Sequence, residues 1–241
     1  MSFRFRPALT ACVALALAVL VALGAWQLQR RAWKLDLIAQ VEARTAAAPI
    51  PFEEALARAE AGENMEYAPV VAAGAFAHEK EARVFGTLDG QAGAYVFTPF
   101  YPGTEEKRAV YVNRGFVPQD ALADGGYGRV EGAVSVAGLF RSAEEPAGLA
   151  RMFRPEYQPA DRLWFARDPS RFAAHAGIET YPYYIDSFGG EESAAWPKGG
   201  TTRLDFRNRH LEYALTWFGL AAALLGVYLV FSLRGPSPGG Q

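Results

Sequence analysis

The stretch 206-FRNRHLEYALTWFGLAAALLG-226 sets His210, with Arg207 and Arg209 just upstream, against the start of a long apolar run. From Ala214 to Leu233 the run is broken only by Thr216, Ser232 and the aromatics Trp217 and Tyr228, which suit a membrane interface. Coiled as a helix at about 1.5 Å per residue, it spans roughly 30 Å, the thickness of a bilayer's hydrocarbon core. A matching run lies at the other end of the chain, where Thr10 is the one strongly polar residue between Ala8 and Trp26. Of 241 residues, the apolar ones thus gather at both ends, and this distribution sets the fold class. Both runs read as transmembrane helices.

The first run also has features of a cleavable signal, with Arg4 and Arg6 ahead of it and small residues around Ala22-Leu23-Gly24. Its length argues for retention, and so does helical patterning that continues through 26-WQLQRRAWKLDLIAQVEAR-44. Trp26, Arg30, Trp33 and Leu37 recur on one helical face, as expected where a helix leaves a bilayer. The chain therefore divides into a transmembrane helix over 8–28, a central domain over 29–207, a helix over 208–233 that contains the second span, and a tail over 234–241. Counting Arg30, Arg31, Lys34, Arg203, Arg207 and Arg209 against Arg4, Arg6 and Arg234 places the central domain in the cytoplasm. Long domains translocate largely regardless of charge, so topology stays open on physical grounds.

Cys12, the single cysteine, lies inside the first apolar run, which leaves no intrachain disulfide and no thiol metal site. A net charge of −2, with no basic stretch in the central domain, argues against nucleic acid as a partner. The basic residues that cluster lie beside the apolar runs, within reach of lipid headgroups or an anionic ligand.

Within the central domain, 52-FEEALARAEAG-62 has the spacing of a short amphipathic helix stopped by glycine. Strand-like runs follow at 69–76, 81–86, 94–101, 108–118 and 130–141, rich in Val, Tyr and Phe and separated by Gly and Pro. The segment 142–159 reads as an extended connection, 161–166 and 181–188 as strands, and 201–206 as a final strand leading to the second span. Asp168 as N-cap, Pro169 at the first position and Gly177 as stop define a helix between them. The expected fold is an α+β membrane protein: two terminal transmembrane helices flank a mainly antiparallel β domain, a barrel or half-open sheet, with one or two short helices.

Catalytic signatures are scarce. The sequence lacks a G-x-S-x-G elbow, an H-E-x-x-H helix, a C-x-x-C pair and a GK[ST] phosphate loop, and the reading is that of a non-enzyme. Gly86, Gly90 and Gly93 read as hairpin glycines, and the pairs Glu53-Glu54, Glu105-Glu106, Glu144-Glu145 and Glu191-Glu192 as solvated surface. His78 lies in a polar turn, and His175 near a helix end where a cation suits the dipole. Asn113 and Arg114 end a half-buried strand in 111-YVNRGFVP-118; they serve there either to satisfy neighbouring groups or to dock a partner.

His210 carries more chemistry. With Asn208 as N-cap it falls in the first helical turn, with Tyr213 and Trp217 on its face. The positive end of a helix dipole disfavours imidazolium, and neutral imidazole is the form a metal takes. A haem whose apolar ring lies on Tyr213 and Trp217, with propionates toward Arg203, Arg207 or Arg209, fits such a boundary. An interfacial histidine bonded to headgroups fits the same spacing.

Several ordered motifs resemble the surfeit-locus-one family of cytochrome c oxidase assembly factors. They are 24-GAWQLQRRAWKLDLI-38, 93-GAYVFTPF-100 with 110-VYVNRGFVP-118, 138-GLFR-141, 164-WFARDP-169 and 208-NRHLEYALTWFGLA-221, and they cover nearly the whole chain. The resemblance implies a bacterial inner-membrane protein whose domain over 29–207 is extracytoplasmic and faces the periplasm, against the charge count. It implies haem a bound as cargo and helped into subunit I of cytochrome c oxidase, with His210 as ligand to the haem iron and Trp217 matching the family's tryptophan. Haem a synthase is a further partner on this reading. Where the family pattern has a second asparagine before the histidine, this chain has Arg209, a cation beside the site. The competing expectation is a membrane-tethered scaffold that stabilises an oxidase intermediate without cofactor.

Overall fold

A computed structural model describes residues 6–103, 107–123, 125, 127–144, 157–158, 163–189, 196–201 and 208–233. The chain forms two compact units, Met1–Gln40 with Asp205–Gln241, and Val41–Leu204. The expected strand at 201–206, most of the connection over 142–159, the tail over 234–241, and Arg203, Arg207, Glu105, Glu106, Glu145, Glu191 and Glu192 lie outside the described residues.

The first unit is built on α1 (Pro7–Thr45, whose last residues belong to the second unit) and α5 (His210–Leu233). Each contains a segment long and apolar enough to cross a membrane. Within this unit Thr10 Oγ1 and the Tyr228 hydroxyl are hydrogen-bonded at 2.7 Å, and His210 Nδ1 lies 2.7 Å from Gln27 Oε1. Low numbers on α1 therefore meet high numbers on α5, which makes the two helices antiparallel. Gly24 lets them approach: a Cβ there would sit 2.6 Å from the Phe218 ring. Small residues serve helix pairing in lipid for this reason, since backbones can then come close.

The second unit carries a sheet of β1 (Ile50–Pro51), β2 (Pro69–Phe76), β3 (Ala82–Leu88), β4 (Gln91–Pro102), β5 (Ala109–Pro118), β6 (Ala133–Ser142), β7 (Tyr157–Gln158), β8 (Leu163–Trp164) and β9 (Thr180–Ser187). Its helices are α2 (Phe52–Glu60), α3 (Gln119–Ala123) and α4 (Pro169–Ala176). The strands run in the order β1-β2-β6-β9-β5-β4-β3-β8-β7, and an additional pairing of β2 with β4 closes the ring β2-β6-β9-β5-β4. That closure rests on the length of β4. Its first half pairs with β3 from Gln91 to Phe97, and its far end pairs with β2 from Phe100 to Pro102.

The sheet is thus a closed barrel of mixed direction, not simply antiparallel: β1–β2, β3–β8 and β5–β9 are parallel. The parallel β5–β9 pair has the long crossover that such pairs need, through β6, β7, β8 and α4. The strand runs expected at 69–76, 108–118 and 181–188 correspond to β2, β5 and β9 within a residue or two. Among the described residues the domain has three α-helices rather than one or two. The addition, α3, buries none of its residues and so carries no apolar period to read.

Side chains alternate across the barrel wall, as strand geometry requires. Val70, Phe100, Val110, Val112, Phe140 and Ile185 come from all five ring strands and fill the interior, where α2 adds Phe52 and Ala55. On the outer face Phe97, Tyr111 and Tyr184 pack with Phe172 and Ala173 of α4. Asp168 caps α4 by accepting from the N–H groups of Ser170 and Arg171 at 3.0 and 3.4 Å, and Gly177 ends it with a φ of 66°. Gly86 and Gly93 pair across the β3–β4 hairpin, whose two-residue turn, Asp89-Gly90, has positive φ at both positions.

Candidate functional site

Two places on the molecule gather the residues that the sequence singles out, one in each unit. In the first unit, α5 starts at His210: the Arg209 carbonyl accepts the first helical bond, from the Tyr213 N–H at 3.3 Å, and Asn208 Oδ1 accepts from the His210 N–H at 3.4 Å. Two helical turns on, Trp217 returns to the face of His210 and is partly buried, while Tyr213 lies between them and is exposed. Arg209 is exposed immediately before the ring.

The imidazole itself is held by a group on the other helix. Gln27 presents its amide oxygen, a pure acceptor, 2.7 Å from Nδ1, so the proton of a neutral ring belongs on Nδ1. Nε2 then carries the lone pair, and among the described residues it has no hydrogen-bond partner. Nor do the described residues contain any group of three or more His, Cys, Asp or Glu placed to hold a bare metal ion.

In the second unit, Asn113 and Arg114 part company. Between Val96 and Phe97 of β4 the partners on β5 jump from Gly115 to Asn113, so Arg114 is the extra residue of a β-bulge. Asn113 is buried; its amide donates to Asp186 Oδ1 at 2.5 Å and its oxygen accepts from the Gly115 N–H at 3.1 Å. Asp186 Oδ2 takes Arg141 Nη1 at 3.3 Å, and Arg141 Nε donates to Glu66 at 2.6 Å. The chain of groups ends where Glu66 Oε2 accepts the Ser142 N–H at 2.9 Å. Burial works against the Arg141 charge, yet Tyr184 and Glu66 hold its guanidinium above the ordinary arginine value.

Arg114 turns to the surface instead. It donates to the Gly128 carbonyl at 2.5 Å, faces His78 Nδ1 at 3.5 Å and lies over the Phe76 ring at 5.5 Å. His78 lies in the turn between β2 and β3, as expected, but is buried there, and its Nε2 donates to the Val130 carbonyl at 2.8 Å. Burial lowers the Arg114 guanidinium, with Glu81 and Tyr127 acting the other way. Arg114 lines a groove of about 540 Å³ with Phe76, Arg129, Val136, Ser187 and Trp196. Asn113 has no share in that groove.

Sequence reading passed over Gln27, Asp186, Arg141 and Glu66. Asp186 had a signal, as the one acid in the alternating strand 181-YPYYIDSF-188. Gln27 had a weaker one, being the first polar side chain after the run from Ala8 to Trp26; its partner lies 183 positions away.

The sequence matches the SURF1 family over residues 14–222. It is similar to "Surfeit locus protein 1" of Homo sapiens, 38% identical over 235 residues, which covers 90% of this chain and 75% of that protein. The protein of the same name from Gallus gallus is 39% identical over 219 residues, 83% of this chain and 68% of its own length. A "SURF1-like protein" of Drosophila melanogaster is 30% identical over 223 residues, with 83% and 70% covered. None of these names is that of an enzyme.

Proposed function

The chain belongs to the SURF1 family, and from that premise we propose that it is a membrane-anchored assembly factor for cytochrome c oxidase that binds haem a and delivers it toward subunit I. The observation that carries this reading is the His210 ring, held through Nδ1 with Nε2 left to meet an iron. Tyr213, exposed, and Trp217, two turns along the helix, offer an apolar shelf for the porphyrin; Arg209 offers a cation for a propionate. Haem a is cargo here, and one imidazole with an aromatic shelf suits a group that must later leave.

On this reading α1 and α5 cross the bacterial inner membrane, and the barrel domain faces the periplasm. The polar contacts Thr10–Tyr228 and Gln27–His210 support it, since about 26 Å of helix at about 1.5 Å per residue separates them, close to a bilayer's core. His210 then lies at one boundary of the lipid. The oxidase or the haem a synthase meets the groove beside Arg114, because Asn113 is buried and engaged by Asp186.

The test is the visible spectrum of the full chain purified from cells that make haem a. Wild type carries the haem, and His210→Ala loses it. A wild type without haem, or a His210→Ala variant with an unchanged spectrum, sinks the carrier role and leaves a scaffold that stabilises an oxidase intermediate.

A further inference from the structure

We propose that Gln27 is a positioning residue for His210: it sets the ring's tautomer, aims Nε2 at the incoming iron and, as a neutral acceptor, keeps the ligand weak enough to release its cargo. The proposal rests on His210 as the iron ligand. It adds a residue from the other helix, and a reason why the ligand's second nitrogen is held as it is.

An amide oxygen cannot donate, so a neutral His210 ring that bonds Gln27 Oε1 at 2.7 Å carries its hydrogen on Nδ1. Each side of the bond is anchored independently. Asn208 Oδ1 accepts from the His210 N–H at the start of α5, and Gly24, one turn before Gln27, brings α1 close to the Phe218 ring. The ring is thus carried by α5 and held by a side chain of α1.

Histidine ligands commonly give their second N–H to an acceptor that fixes the ring, and loss of that acceptor weakens metal binding about 10–100-fold. The kind of acceptor matters as well. A carboxylate draws the Nδ1 proton strongly and makes Nε2 a better donor, which suits a resident metal. An amide oxygen orients the ring with less of that effect. For cargo that must be handed on, orientation with moderate basicity is the useful combination.

Gln27→Leu and Gln27→Glu separate these roles. The full chain is prepared without haem in detergent, with its histidine rings labelled with nitrogen-15, and recorded at one mildly alkaline pH. The chain has three histidines, so His210→Ala identifies the His210 signals. Wild type shows a proton on Nδ1, and Gln27→Leu shows a mixture of tautomers. In titrations with haem a, Gln27→Leu binds about 10–100-fold more weakly. Gln27→Glu binds at least as tightly as wild type, with a lower midpoint potential and slower transfer to an apo-globin acceptor.

A side chain that merely filled space would not give responses of opposite sign to Leu and Glu. Unchanged tautomer and affinity in Gln27→Leu overturn the inference while leaving His210 ligation intact. Weakened binding by both variants, with the Nδ1 proton retained, overturns it as well. If wild type binds no haem, the proposed function and the iron-aiming role fail together, whatever the nitrogen spectrum shows.

Discussion

Asp186 is tied to both ends of a buried polar chain: Asn113 donates to one carboxylate oxygen and Arg141 to the other. Its side chain is 2% exposed and that of Arg141 is 11% exposed. Removing Asp186 leaves the buried Asn113 amide without its acceptor and Arg141 with Glu66 as its remaining carboxylate partner among these groups, which costs about 1–3 kcal/mol. Asp186→Ala should therefore destabilise the barrel by that amount in denaturant titrations of the full chain followed by tryptophan fluorescence. A loss below about 1 kcal/mol would mean that Arg141 reaches water and Glu66 alone suffices for it. The role of Asn113 belongs at this scale too. In sequence it is a polar residue ending a half-buried strand, there to satisfy neighbouring groups or to dock a partner, and the structure buries it against the carboxylate across the β5–β9 pairing.

Among the elements, α4 is the one that sequence describes best. Asp168, Pro169 and Gly177 mark its ends by chemistry that acts within a few residues, so no tertiary knowledge is needed to find them. What the helix is for depends on Phe172, whose ring packs against Phe97, Tyr111 and Trp164. The two contributions should differ in size. Asp168→Ala removes a cap and should cost about 1 kcal/mol. Phe172→Ala empties a fully packed site and should cost about 3–5 kcal/mol in the same denaturation assay. Equal losses would show that the helix ends, rather than its docking, limit stability. By contrast, the bulge at Arg114 was not legible, because an extra residue on β5 exists only relative to the register of β4.

At the scale of the whole molecule, the barrel wall buries two phenols, Tyr111 and Tyr184, whose Cα atoms are paired between β5 and β9. Burial is the main reason that both are held well above the ordinary tyrosine value. The sign follows from the neutral form being the one the fold accepts. Stability is complete below about pH 10, the unfolded phenol's value, and is lost as pH rises through the raised folded values. An alkaline titration should show exposed tyrosines ionising first with the fold intact, then a second set ionising together with loss of circular dichroism. A single class of tyrosines near pH 10, with the fold retained, would contradict the burial.

What the sequence by itself determined are the features whose causes are local or compositional. Two terminal apolar helices, the main strands, the caps of α4 and the place of His210 at the start of α5 are all of this kind, because hydropathy, alternation and capping act over a few residues. The tertiary structure alone decided which distant residues meet. The β2–β4 pairing closes the barrel, β9 lies parallel to β5, Asp186 engages the buried Asn113, and Gln27 faces His210 across 183 positions. No periodicity encodes such meetings, because they arise from strand register and helix packing, which are set by the balance of many contacts at once.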